Sequence, residues 1–173
     1  MTGSFGNGIS EVHIEQWILD YSRKWFREYL AEAERKHMDI MPVLTPGKLA
    51  DLRSHVRTND WGGMWPDDKT PCLLVINTGL VEPPTRHGTG LYDANYMIAA
   101  AIVVSSNSRE NTRNNAFIYG YAFREMILQR KSLEHPEHIA GITWVDSRPL
   151  PLPSEQERSL MAMQMFFHVQ AKG

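Results

Sequence analysis

The sequence predicts an α+β domain: an antiparallel four-stranded sheet built from two hairpins with helices packed on it, plus a long N-terminal helix. Three observations predict it. Apolar residues recur at helical spacing near the N-terminus and again over 109–131. Short apolar or alternating runs fill 72–77, 92–105, 139–145 and 160–170. Those runs fall in two pairs, one on each side of the second helical stretch.

The 173 residues suit one domain, with a Gly- and Ser-rich start over 1–9, a helical part over 10–60 and a sheet-and-helix core over 71–170. A chain of this length buries roughly 70% of the surface its unfolded form exposes, enough for a real core. A hydrophobic content of 42% argues against disorder. The net charge of −2 argues against a dedicated nucleic-acid binder, which needs a basic excess. Cys72 is the single cysteine, so no internal disulfide forms, which fits a reducing compartment of synthesis. The opening MTGSFGNGIS lacks the charged start and apolar stretch of a secretory signal. No run approaches the ~18 apolar residues of a membrane span. The expectation is a soluble protein made in the cytoplasm.

Ser10 is a candidate cap for a helix running from about residue 10 to about residue 38. Ile14, Trp17, Ile18, Tyr21, Trp25, Leu30 and Ala33 keep to one broad face of it. Thr45-Pro46 opens a second, short helix carrying Leu49, Leu52 and Val56. Gly and Pro punctuate 59–71, which reads as loop, and CLLVIN (72–77) as a strand. TGLVEPPTRHGTG (78–90) holds too many breakers for regular structure and is expected to be a long exposed loop. Residues 92–105 are apolar at both parities, the mark of a strand covered on both faces. Ala116, Tyr119, Phe123, Met126 and Ile127 form the buried face of a helix over 109–131. IAGITWV (139–145) reads as a strand and 147–159 as a Pro-rich loop. In the last strand Met161, Met163, Met165, Phe167 and Val169 form a core face against a mixed face of Leu160, Ala162, Gln164, Phe166, His168 and Gln170.

Candidate chemistry is sparse. Gly6-Asn-Gly8 has no strand before it and Gly88-Thr-Gly90 no helix after it, so neither forms a phosphate cradle. His135 and His138 flank a carboxylate, but two imidazoles fall short of the three or four ligands a zinc site needs. No GxSxG elbow occurs, and Cys72 opens an apolar strand where an inert thiol is expected. Asp60, Asp67 and Asp68 lack the alternating oxygen pattern of a calcium loop, so Trp61 and Trp65 read as anchors for that loop. No catalytic residue, cofactor or metal is assigned. One helix feature is left: Arg113, Arg124 and Lys131 fall within about 20° of one another, with Arg109 close by. This stripe beside the apolar face reads either as a solvated flank or as a contact for an acidic neighbour, such as another copy of the chain.

The succession PCLLVIN, YMIAAAIVVSS, RENTRNNAFIYGYAFREMIL and GITWVDSRPLPLPSEQERSLMAMQMFFHVQ resembles the tail terminator proteins of tailed bacteriophages, also called tail completion or minor tail proteins. The match consists of an apolar strand ending in small polar residues, a Tyr-containing helix, a strand around Trp144-Val145-Asp146, an acidic loop ending in Glu157, Arg158 and Leu160, and a final strand. It covers roughly residues 71–170, while the long N-terminal helix and the 78–90 loop depart from the pattern. The resemblance implies a structural virion protein at the head–tail junction. It implies a homo-oligomeric ring, commonly a hexamer, that caps the tail tube, stops its polymerisation and meets the head completion or connector protein, with DNA only passing through the lumen. Contact residues implied for such a ring are Arg109, Arg113 and Arg124 on the helix, with Arg86 and His87 on one breaker-rich loop and Arg148, Glu155 and Arg158 on the other. Two alternatives stay open: another head–tail connector, which would arrange helices rather than two hairpins, or a small metal-dependent hydrolase using His135 and His138.

Overall fold

The computed structural model describes residues 11–40, 49–57, 69–81, 85–86, 92–129, 139–153 and 158–172. In chain order the elements are α1 (Glu11–Ile40), β1 (Ser54–Arg57), β2 (Cys72–Leu80), β3 (Thr85–Arg86), β4 (Tyr92–Ser106), α2 (Arg109–Gln129), β5 (Ile139–Leu152) and β6 (Ser159–Lys172).

The α+β class is what the chain adopts, but the sheet is larger than expected. Among the described residues it has six strands, five of them in the order β1-β2-β4-β6-β5, with β3 paired to β4 off this path. Both expected hairpin pairs form, since β2 and β4 are antiparallel, as are β5 and β6. A continuous ladder from Asp93↔Lys172 to Ser106↔Ser159 fuses them through β4 and β6. The four-stranded, wholly antiparallel expectation is corrected at its edge. Residues Ser54–Arg57 run parallel to β2, with Ser54 opposite Cys72 and Arg57 opposite Val75.

That pairing also overturns the helical reading of Leu49, Leu52 and Val56. Ser54–Arg57 is a strand, because the edge of β2 supplies hydrogen-bond partners that so short a helix would have to do without. Leu52 is buried while Val56 is exposed, so their helical spacing does not mark a shared face. The 78–90 loop is likewise shorter than expected. Thr78, Gly79 and Leu80 complete β2 beyond a bulge, where Gly79 takes φ +120, and Thr85–Arg86 pairs with β4. In the 147–159 stretch the Pro-rich reading as loop fails for residues 147–152. Proline is tolerated on an edge strand, and β5 is one.

β4 lies at the centre, and Ile98 to Val104 are buried without a break, as its double apolar parity predicts. One face of the sheet carries Leu73, Val75, Ile98, Ala100, Ile102, Met163, Met165 and Phe167 in a single cluster with both helices. The opposite face holds a smaller cluster of Cys72, Leu74, Ala101, Val103, Leu160 and Ala162. α1 contributes Ile14, Trp17, Ile18, Tyr21, Phe26 and Leu30 to the larger cluster. Ring contacts join the layers: Phe26 stacks on Tyr119 at 6.1 Å, Phe123 meets Phe167 at 6.1 Å, and Trp144 of β5 stacks on Phe167 at 5.5 Å.

Candidate functional site

The site is built where β4 turns into α2 and β6 begins. Ser108 caps α2, its hydroxyl accepting from the Asn111 N–H at 3.4 Å, and Glu110 lies in the first turn. Thr112 Oγ1 lies 2.8 Å from the Ser108 carbonyl oxygen and 2.7 Å from Ser106 Oγ, and Thr112 is fully buried. These bonds fix the corner, and with it the direction in which the first turn of α2 presents its side chains.

Arg109 and Arg113, exposed on that turn, face the end of the β5–β6 pair across a groove of about 730 Å³. Arg158 joins them from the position just before β6, its Nε donating to Asn107 Oδ1 at 3.3 Å. The rest of the lining is largely apolar: Pro151, Leu152, Pro153, Leu160 and Met161. Among the described residues no carboxylate lines the groove, and no ion pair engages any of the three arginines. Arg113 is held over the Phe117 ring, its guanidinium carbon 5.7 Å from the centroid. The arrangement gathers three guanidiniums beside apolar surface.

The other expected contact residues do not join this group. Arg124 lies over the Tyr121 ring at 5.2 Å and 3.6 Å from Glu125, about 16 Å further along the helix than Arg113. The helical projection that aligned them ignores rise along the axis. Arg148, on β5 opposite Gln164, pairs with Asp146, and that hydrogen bond holds the Asp146 carboxyl below the usual carboxylate range. Arg86 stands in β3 opposite Tyr92. His87, Glu155, Lys131, His135 and His138 lie outside the described residues, as do the two Gly-x-Gly stretches and the 59–68 loop with Asp60, Trp61, Trp65, Asp67 and Asp68. Among the described residues no group of three or more His, Cys, Asp or Glu could hold a metal ion, and no helix is long and apolar enough to cross a membrane.

Sequence reasoning missed the apolar half of the groove. Its signal was PLPLP (149–153), where alternate prolines mark an edge strand as well as they mark a loop. Two titratable groups lie apart from the groove. The Cys72 thiol is buried and pushed up by burial, as an inert cysteine is. Tyr119 donates its hydroxyl to the Ala50 carbonyl, and burial raises its pKa, with the charges of Glu34 and Asp51 adding to the effect.

No family model matches the chain, and no curated protein matches it. Among solved structures, the fold is similar to a chain from the virion of a native gene transfer agent particle, at 11% identity and a TM-score of 0.45. That similarity covers 81% of this chain and 92% of the other.

Proposed function

We propose that this protein is a non-catalytic virion component of the tail terminator type, a homo-oligomeric ring that closes the tail tube and meets the head connector. The observation that carries the reading is the pair of antiparallel hairpins, β2–β4 and β5–β6, separated by α2 and fused through β4 and β6. This is the element order on which the sequence resemblance rests, and it favours a terminator over a connector built from an arrangement of helices. The arginine groove supports it as well, because exposed charge beside apolar lining suits contact with another protein surface better than chemistry on a small molecule.

In this reading the ring, commonly of six copies, stops tube growth by covering the surface to which the next tube layer would add. DNA passes through the lumen, and a chain of net charge −2 does not hold it there. The test is to add the purified protein to polymerising tail tube protein and image the products. Tubes of limited length with an annular cap are the expected outcome. Uncapped tubes that grow without limit would sink the reading.

A further inference from the structure

The groove has a matching surface elsewhere on the chain. On α1, Glu28, Glu32, Arg35, Met38 and Asp39 are exposed and fall within about 120° of one another at the helical repeat. Three carboxylates against one guanidinium leave this stripe at net −2. Arg35 sits between two of them, 2.7 Å from Glu32 and 3.4 Å from Asp39. Met38, half exposed at 50%, gives the stripe an apolar side chain at its C-terminal end.

We infer that the groove formed by Arg109, Arg113 and Arg158 in one copy receives the C-terminal half of α1 from a second copy. Convex helix meets concave groove, three guanidiniums meet a stripe of net −2, and Met38 meets Leu152, Leu160 and the two prolines. Within one copy the two surfaces do not meet. α1 packs against the far part of α2, where Lys36 Nζ lies 3.3 Å from the Tyr121 hydroxyl and the His37 ring 5.6 Å from the Tyr121 ring. Tyr121 is about 12 to 18 Å along α2 from Arg113 and Arg109. Two different patches on each copy make the contact head-to-tail, the kind that closes into a ring when its rotation allows. A nucleic-acid backbone suits the groove less well, since it would leave the apolar lining uncovered. The inference rests on the ring reading above for its biological setting, though the contact itself stands on charge and shape.

Reciprocal charge exchange tests it. Arg109→Glu/Arg113→Glu and Glu28→Lys/Glu32→Lys change only exposed positions, so both variants are expected to fold, with circular dichroism as the check. Each alone should weaken self-association on the order of a hundredfold in sedimentation velocity, because like charges then face each other. Mixed in equal amounts, the two should recover assembly with alternating copies, and added salt should weaken the wild-type contact. Wild-type rings that survive both reversals would overturn this contact and leave the ring reading intact. Charge-sensitive association that yields open chains would support the contact and count against the ring. A wild type that stays monomeric at millimolar concentration overturns the contact, as does a groove variant that loses duplex DNA binding while self-association is unchanged.

Discussion

At position 120 the missing side chain is a packing requirement. A Cβ on Gly120 would sit 2.6 Å from Met163 Cγ, so α2 approaches β6 more closely there than any larger residue permits. Helix propensity alone favours Ala over Gly by about 1 kcal/mol, whereas overpacking costs about 1–3 kcal/mol. Gly120→Ala should therefore lower stability by about 1 kcal/mol, and in a Met163→Ala background the penalty should shrink or reverse. Chemical denaturation of the four proteins of this cycle measures it, and a stabilising Gly120→Ala would refute the close approach. His55 on β1 is a second residue-scale case. Its Nε2 is buried with no hydrogen-bond partner among the described residues, and its pKa is lowered by burial first and by Arg23 second, with Asp51 opposing. The folded state then binds the proton less well than the unfolded chain, so stability is full above the ordinary histidine value of about 6.5 and falls as pH drops through it toward the lower folded value. Thermal unfolding between pH 8 and pH 5 should show that loss, flattened in His55→Gln; identical slopes in the two proteins would remove His55 as the cause. Gly120 is plain in the sequence as a glycine inside a helical pattern, but its reason is a neighbour 43 positions away, which no local pattern contains.

Among the elements, β5 shows how the fold manages its exposed edge. Ser147, Pro149 and Pro151 share one parity, and the Ser147 N–H is held by the Asp146 carboxylate at 2.8 Å. That row presents no free donor to an incoming strand, a device that discourages edge-to-edge pairing. Replacing both prolines with Val should restore two donors on an exposed edge and promote self-association through it, read as increased light scattering on concentration. Unchanged scattering would show that the prolines guard nothing. The same element explains a misreading. Proline in a sequence reads as a sign of loop, yet its missing N–H matters only where a partner strand would need it, and that depends on where β5 lies in the sheet. β1 is the converse case: Val56, spaced from Leu49 and Leu52 as in a helix, lies in a strand because β2 offers Ser54–Arg57 an edge.

At the scale of the whole molecule, α1, α2 and one face of the sheet share one hydrophobic cluster, so the N-terminal helix belongs to the core that the sheet builds. The surface left over is polar in the directional sense. Two of the groove arginines sit at the beginning of α2, and the acidic stripe runs along the end of α1. Each arginine of the groove was legible as a basic residue, but only two of the three came from the same helix. The third, Arg158, immediately precedes β6 and is brought there by the Ser105↔Leu160 and Ser106↔Ser159 pairings that end the central ladder.

The sequence by itself determined the local structure that repeats with its own period. Both long helices, the doubly buried β4 and the alternating β6 are written in spacings of a few residues, where side-chain periodicity and backbone hydrogen bonding act locally. Only the tertiary structure decided the parallel pairing of β1, the edge position of β5 and the meeting of Arg109, Arg113 and Arg158 around one groove. Those depend on which strands become neighbours. That choice is made by burial of the whole chain, through contacts between residues far apart in sequence.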